Sequence, residues 1–509
     1  MRVLRSYLLL AALVAAAYAD ESVSSPKQGI VKSANDSPVQ NARTTPRLAP
    51  TIQEEIEKKG YANVMISMKE DRPSDLLSMK AIRRRLRKLR VACEGDEPDQ
   101  VAALVEGLEQ HAKESHAPVL QAIEEANATT YSSVESLWIT NEVAVREATA
   151  ELLEKLQDLP SVGEIHLEQV AKIPLTNHAS VSSVSSEAVN ATSANQWSLE
   201  RIQATDSWAQ GFTGSSIRVG VIDSGVRPTH SALAGRMLEG FGWYDGISNV
   251  TEPEDAAGHG TSVLSIIAGA NNLGVAPEAT WLACRACNEY GECMDSSVLL
   301  CAQYMLCPFN VVTGEKDCSK RPHVINMSWN YEYQGVNIAQ PAVEAWLTAG
   351  IVPVISNGNS GSSCGSVNSP ADWASTSITV GATNAKDDIW PGSARGPGPD
   401  GSIKPDLSAP GADVVAAAID SDDAVAKFLG TSGAAPFVSG AVALLLQAAP
   451  SLTPEAVKEL LLTNADTEPL VAHDKDSCVK EATSMSFPNN VYGHGRLNVL
   501  KALTKATQA

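Results

Sequence analysis

The sequence predicts an α/β fold in which helices cover both faces of a parallel sheet, preceded by a small α+β domain. Short unbroken apolar runs with intervening helical or glycine-rich stretches predict the sheet, because they are typical of strands buried on both faces. These runs cover residues 218–222, 280–283, 324–327, 352–355 and 377–380. Strand and helix patterns mixed upstream of residue 173 predict the smaller domain.

Length, composition and charge limit the classes of function. The chain has 509 residues, too many for one ordinary core, and its 44 % hydrophobic and 19 % charged residues indicate a globular protein. Its 39 Lys and Arg residues are outnumbered by 59 Asp and Glu residues, which gives a net charge of −20. An acidic chain repels phosphate backbones, so we expect no nucleic-acid partner.

Residues 1–19 have the pattern of a secretory signal peptide. Arg2 and Arg5 precede an apolar run at residues 7–14, and Ala17 and Ala19 supply the small-x-small cleavage pattern. The run is too short to span ~30 Å of hydrocarbon. We therefore expect a secreted, extracellular protein with no membrane partner.

Composition divides the rest of the chain into four segments. Residues 20–50 are rich in Ser, Pro, Asn and Lys, and the segment at residues 20–59 is expected to be flexible, whereas residues 60–172 form the α+β domain. Within that domain, strand patterns cover residues 62–68, 134–139 and 162–167, and helical patterns cover residues 98–112 and 147–156. A linker follows at residues 173–196, and the large domain spans residues 197–505.

Cysteine usage agrees with export. Cys93 lies alone upstream, and the other eight cysteines lie in the large domain, an even set that predicts disulfides. Their pairing stays open among 105 possibilities. A zinc site is the alternative, because Cys284 and Cys287 have CxxC spacing, but no second CxxC or paired His motif follows. Removal of an upstream segment would account for the odd Cys93.

Three side chains lie where such a fold gathers its chemistry, at the carboxyl ends of strands and the starts of helices. Asp223 directly follows the apolar run at residues 218–222, and His259 and Ser432 each precede an apolar helix. Taken singly, they are an ordinary turn former, a helix-start His and a helix cap. Together they supply the orienting carboxylate, the imidazole base and the hydroxyl nucleophile that acyl transfer requires.

A fourth motif ends the apolar run at residues 352–355 in two amides next to glycines, Asn357 and Asn359. In the order Asp, His, Asn, Ser, the four motifs resemble the subtilisin-like serine proteases (subtilases), and the likeness covers residues 197–498. Local strings also resemble the bacillopeptidase F branch of that family and its inhibitory propeptide; they lie at residues 281–293, 303–308 and 326–329, and at residues 137–141 and 159–162.

The resemblance implies a subtilisin-like protease domain that hydrolyses peptide bonds through an acyl-enzyme and is made as a self-processing zymogen. In these roles Asp223 orients His259, His259 is general base and then general acid, and Ser432 is the nucleophile. The oxyanion hole would be the Asn359 side chain with the Ser432 backbone N–H. The family takes this amide from a Gly-Asn pair, which favours Asn359 over Asn357.

Departures from the family pattern limit what can be carried over. Ser328, Trp329 and Asn330 correspond to the family's substrate-binding wall, but Asn330 stands where a Gly is usual, so cleavage specificity is not transferred. Gly433 replaces the usual Met after the nucleophile. Because this removes an oxidisable thioether, we expect resistance to inactivation by peroxide. Ser262 replaces the second His of the His-Gly-Thr-His string.

We expect no required cofactor or metal. Residues 270–275 form a shorter stretch than the loop that binds the strong calcium ion in well-known subtilases, although weaker calcium sites stay open. The expected partners are protein or peptide substrates and the chain's own propeptide. Its tail, near residues 170–177, would lie in the cleft until cleavage within residues 176–196, and the mature protein is expected to be a monomer.

Five sequons for N-glycosylation occur, at Asn35, Asn127, Asn190, Asn249 and Asn326. Asn249 is the best candidate on the mature domain. Asn326 lies at the end of an apolar run and is expected to be buried.

Two other classes of protein were weighed against a protease. A secreted esterase of the α/β-hydrolase kind would need Gly-x-Ser-x-Gly, but Ala434 occupies the last Gly position. Its triad order would be Ser, Asp, His, whereas the order here is Asp, His, Ser. A catalytically inactive binding protein would lack a member of the triad, and none is missing. The sequence leaves the preferred cleavage site and the physiological substrate open.

Overall fold

Two sheets organise the chain in a computed structural model, which describes residues 48–69, 97–174, 196–373, 377–468, 470, 478 and 486–508. The expected signal peptide, Cys93, the sequons at Asn35 and Asn190, and the linker from residue 175 to 195 lie outside the described residues.

The N-terminal domain is a four-stranded antiparallel sheet with the strand order β2-β3-β1-β4. Its strands are β1 (Ala62–Met68), β2 (Ser133–Leu137), β3 (Glu142–Ala148) and β4 (Val162–Leu167), and its helices are α1 (Pro50–Lys59), α2 (Glu97–Glu124) and α3 (Ala150–Gln157). Alternation along β1 separates two faces. Val64 and Ile66 enter the domain's own core with Leu152, whereas Met65 packs with Leu104 on the other side.

The start of this domain and the length of its second helix differ from the sequence prediction. The segment at residues 20–59 was expected to be flexible, but α1 occupies its end, since Pro50 begins the helix and Ile52 is fully buried. The prediction of flexibility is therefore wrong for residues 50–59. Helix α2 continues beyond the expected end at residue 112, because Val119 and Ile123 extend its buried side.

The C-terminal domain contains a seven-stranded parallel sheet with the strand order β13-β12-β11-β10-β6-β8-β7. These strands are β6 (Arg218–Asp223), β7 (Trp243–Asp245), β8 (Thr280–Arg285), β10 (Val324–Met327), β11 (Val352–Ser356), β12 (Ile378–Thr383) and β13 (Leu407–Pro410). Two small antiparallel pairs join β5 (Val170–Lys172) to β9 (Glu292–Met294) and β14 (Val414–Ala417) to β15 (Val425–Phe428). The strand order reverses between β6 and β10, which is where a sheet of this class places its ligands.

Helices cover both faces of the parallel sheet, as the apolar runs predict. They are α4 (Gln196–Arg201), α5 (Ala204–Trp208), α6 (His259–Ala268), α7 (Asp295–Leu306), α8 (Gln340–Thr348), α9 (Thr431–Ala448), α10 (Pro454–Thr463) and α11 (Val499–Ala506). Val219 and Val221 of β6 pack in the core that contains α6 and α9, whereas Ile222 packs in the core that contains α7 and α8. In the part of the chain that the structure describes, α9 alone has the length and apolar composition to cross a membrane, and 89 % of it is buried inside the protein.

Eight cysteines of the C-terminal domain form four disulfides. The pairs are Cys284–Cys301, Cys287–Cys293, Cys307–Cys318 and Cys364–Cys478. The zinc alternative is therefore wrong. The two cysteines of the CxxC string belong to different disulfides. Cys284 on β8 pairs with Cys301 on α7, and Cys287 pairs with Cys293 on β9.

Candidate active site

The side chains singled out in the sequence meet at the carboxyl ends of the central strands. Asp223 is the last residue of β6 and His259 is the first residue of α6. Ser328 and Asn359 follow β10 and β11, and Ser432 lies in the first turn of α9. Because these elements are neighbours in one sheet or pack on it, residues far apart in the chain share one edge.

Asp223 and His259 form a buried hydrogen-bonded pair. The Nδ1 atom of His259 lies 2.8 Å from Oδ1 of Asp223, and both side chains are only 1 % exposed. A carboxylate at this distance selects the tautomer with a proton on Nδ1 and leaves Nε2 as the acceptor. That Nε2 atom has no hydrogen-bond partner among the described residues.

Ser432 is held against Ser328 by two reciprocal hydrogen bonds. The Ser432 hydroxyl donates to the Ser328 carbonyl at 3.0 Å, and the Ser328 hydroxyl donates to the Ser432 carbonyl at 3.1 Å. In this state the Ser432 hydroxyl therefore donates to a backbone carbonyl and not to His259 Nε2. The Asn326 amide donates to the Ser328 hydroxyl at 2.8 Å. Asn326 is fully buried, which confirms the expectation for its sequon.

The structure separates the two candidate amides. Asn357 is fully buried and donates to the Ala394 carbonyl at 2.7 Å. Asn359 lies beside α9, where its Oδ1 accepts from the Thr431 backbone N–H at 3.0 Å and from the Thr431 hydroxyl at 2.9 Å. A backbone N–H can only donate, so the atom that faces it is the oxygen, and Asn359 keeps its NH₂ group as a donor next to Ser432.

The side chain of Asn330 is tied to the sheet. Its amide donates to the Ser356 carbonyl at 2.9 Å, and its oxygen accepts from the Ser356 hydroxyl at 3.0 Å. Trp329 beside it is fully buried and packs edge-on against Tyr331, with the ring centroids 6.2 Å apart. The backbone N–H and carbonyl of Asn330 pair with Lys172 instead of with a strand of the parallel sheet.

Gly433 makes room for an aromatic ring beside His259. A Cβ atom at position 433 would lie 3.1 Å from the Phe428 ring and 3.4 Å from Val414. The Phe428 and His259 ring centroids are 5.2 Å apart. The space that a larger residue after Ser432 would need is therefore filled by Phe428.

Asp255 organises the turn before His259 and was missed by the sequence reasoning. Its Oδ1 accepts from the Ser224 hydroxyl at 2.8 Å and from the Gly258 N–H at 2.7 Å. Its Oδ2 accepts from the N–H and the hydroxyl of Thr261 at 2.9 and 2.6 Å. One carboxylate thus joins the residue after Asp223 to both sides of His259. An Asp four positions before a His has no periodic signal by which it could be singled out.

Residues 168–173, called the tail below, lie across this edge, and Val170–Lys172 within them forms the strand β5. Val170–Lys172 pairs antiparallel with β9, and the Ile173 N–H donates to the Gly291 carbonyl at 2.9 Å. On the other side, Lys172 and Asn330 exchange both backbone hydrogen bonds, at 2.8 and 3.1 Å. Asn330 lies two residues beyond Ser328, so the tail runs directly past the wall that holds Ser432.

The body of the N-terminal domain packs on α7. Leu137 and Ile139 enter the core cluster that contains α7, and the Ile139 N–H donates to the Gln303 side chain at 3.3 Å. Arg146 donates to the hydroxyls of Ser296 and Ser297 at 2.9 and 3.2 Å.

Among the residues that the structure describes, no group of three or more His, Cys, Asp or Glu side chains is arranged to hold a metal ion.

The profile of the subtilase family (peptidase S8) matches residues 214–495. The chain belongs to this family of serine proteases. Bacillopeptidase F of Bacillus subtilis (strain 168) is 28 % identical over 483 residues, covering 91 % of this chain and 32 % of that protein, so the predicted resemblance is confirmed. This chain spans about a third of the length of that relative.

Two shorter alignments concern other proteins of the same strain. Serine protease AprX is 31 % identical over 318 residues, or 56 % of this chain and 68 % of that protein. Minor extracellular protease Epr is 30 % identical over 273 residues, or 53 % of this chain and 38 % of that protein.

Proposed function

We propose that this protein is a secreted serine endopeptidase that cleaves peptide bonds through Asp223, His259 and Ser432, and that its N-terminal domain is an inhibitory propeptide. The observation that carries the proposal is the buried 2.8 Å pair of Asp223 and His259 at the sheet edge where α9 presents Ser432. A peptide strand already lies across that edge.

Acylation begins when His259 Nε2 accepts the Ser432 proton as the hydroxyl attacks the scissile carbonyl. The hydroxyl leaves the Ser328 carbonyl for this step, and such catalytic contacts commonly tighten only when substrate is bound. Asp223 stabilises the imidazolium that forms. His259 then returns the proton to the leaving amine, and water hydrolyses the acyl-enzyme by the same route.

Charge on the carbonyl oxygen is stabilised by two donors. The Asn359 NH₂ group is one, since Thr431 holds the amide with its oxygen turned towards the helix. The Ser432 N–H is the other, because the first N–H groups of a helix have no intrahelical acceptor. Donors fixed in place before the reaction stabilise the developing oxyanion without reorganisation.

The tail occupies the position of a substrate strand and keeps the precursor inactive. It is bonded on both sides by backbone groups, between β9 and Asn330. Cleavage within residues 176–196, by the enzyme itself, separates the two domains, and release of the tail opens the cleft. Residues 1–19 direct secretion, in agreement with the similarity to the minor extracellular protease Epr. The exposed Asn249 carries a glycan.

Secreted wild-type protein should react with a biotinylated fluorophosphonate and hydrolyse casein. Ser432→Ala should do neither and should be recovered at precursor size. Ser248→Ala is the matched control, because Ser248 is exposed and belongs neither to the proposed triad nor to the oxyanion hole, and it should behave as wild type.

Each result has a distinct meaning. Labelling without casein hydrolysis would indicate an esterase, and absence of labelling in the wild type would indicate an inactive binding protein. If Ser432→Ala is secreted at mature size, another protease performs the processing.

A further inference from the structure

The cleft holds more of the tail than the pairing at β9 and Asn330. Upstream of that pairing, the Asp295 N–H donates to the Gln169 carbonyl at 3.1 Å. The Gln169 N–H donates back to the Asp295 carboxylate, Oδ2, at 2.9 Å. The backbone N–H and the carboxylate of Asp295 therefore both bind the backbone of Gln169. Gln169 lies three positions before Lys172, the residue that pairs with Asn330.

The Asp295 carboxylate is positioned for this contact and not for capping its own helix. Its other oxygen accepts from the Tyr331 hydroxyl at 2.5 Å, and the side chain is fully buried. The first turn of α7 is bound instead from the N-terminal domain, since the Ser296 N–H donates to the Glu168 carboxylate at 2.9 Å. The partners of the carboxylate thus lie outside α7.

Asp295 contacts the backbone of Gln169 and makes no hydrogen bond to its side chain. The Gln169 side chain is bound separately, by the Tyr333 hydroxyl at 2.7 Å. Any residue except proline can supply the N–H and carbonyl that Asp295 takes. Three residues of extended strand span about 10 Å, so only a segment unfolded over that length reaches Asn330 and Asp295 together.

We propose that Asp295 is a substrate-binding residue that anchors the backbone of an incoming strand three residues upstream of the Asn330 pair. The enzyme then favours extended, unfolded polypeptides over short peptides, with little demand on the side chain at the anchored position. This inference rests on the proposed function, since the tail marks the path that a substrate takes only if this edge is the active site.

The test uses two acetylated hexapeptides with the sequence of residues 169–174. They are identical except that an ester oxygen replaces the Gln169 N–H in one of them. Binding to the processed enzyme is measured by competition with a fluorescent tail peptide, so that turnover is not needed. The amide should bind wild type about tenfold more tightly than the ester, because the hydrogen bond from the strand backbone to the Asp295 side chain is lost.

In Asp295→Ala the amide and the ester should bind equally. Glu289→Gln is the matched control, since Glu289 is an exposed acid of the loop before β9, and it should keep the tenfold preference. Equal binding of both peptides to wild type would overturn the inference, even if Asp295→Ala fails to fold. So would a tenfold preference that persists in Asp295→Ala. Casein hydrolysis, measured in parallel, tests the proposed function separately.

Discussion

Raising the pH from 6 to 8 should weaken binding of the tail to the processed enzyme. The bound tail buries the Asp295 carboxyl, and burial favours the protonated form of that group. Burial raises the pKa of Asp295 to about 7, although hydrogen bonds from Tyr331 and the Gln169 N–H lower it. The nearby carboxylates of Glu168 and Glu142 raise this pKa further.

The direction and size of the effect follow from these values. When the tail leaves, water reaches the Asp295 carboxyl, and we expect its pKa to return towards the ordinary 3.8. The complex then holds a proton that the open cleft does not, so binding is strongest at low pH and is lost as the pH rises through about 7. For one such group, the dissociation constant increases about tenfold between pH 6 and pH 8.

The assay is fluorescence anisotropy of a labelled heptapeptide, residues 168–174, with the processed enzyme at pH 6, 7 and 8. This peptide retains Glu168 but excludes His166 and Glu142, which also face Asp295 from the N-terminal domain. Tyr331 and Tyr333 face it from the enzyme, and burial raises the pKa of both phenols, so they stay neutral over this range. Asp295→Asn has no group to titrate and should give a nearly constant affinity. A constant affinity in wild type, or tighter binding at pH 8, would refute the reasoning.

Three further predictions concern residues around the proposed triad. Asn359→Ala should lower kcat by about 10²–10³-fold with little change in KM, a magnitude known from a subtilisin; a normal kcat in the secreted enzyme would contradict its role. Asp255→Ala should lower kcat about tenfold, because the turn that positions His259 loses four hydrogen bonds, and an unchanged kcat would show that the turn holds without them. Wild type should keep its activity in hydrogen peroxide, whereas Gly433→Met, measured against its own activity before treatment because its side chain must displace Phe428, should lose activity within the same incubation; rapid inactivation of wild type would argue against the role of Gly433.

Local signals in the sequence were sufficient for the α/β fold. Parallel strands buried on both faces must be apolar throughout, so runs such as residues 218–222 and 324–327 stand out from the chain. The same reasoning failed for α1, whose polar surface resembles a flexible segment. Only contact with the small sheet buries Ile52 and stabilises that helix.

The disulfides show a similar limit. Export and an even count predict that cysteines pair, but the partners depend on which strands and helices become neighbours. Cys284 pairs with Cys301 because β8 packs on α7, a contact between elements that the sequence presents only as separate patterns.

By itself, the sequence determined the parallel sheet, the subtilase family and the identity of Asp223, His259, Asn359 and Ser432 as candidates. Asp223, His259 and Ser432 lie at the ends of apolar segments, where a chain of this class must turn, and their order resembles that of the subtilases. The same resemblance favours Asn359 over Asn357. Tertiary structure decided how they are surrounded: the Ser328 carbonyl that holds Ser432, the turn built on Asp255 and the strand anchored by Asp295. Such hydrogen bonds join residues distant in the chain, and a single isolated residue leaves no periodic pattern from which they could be predicted.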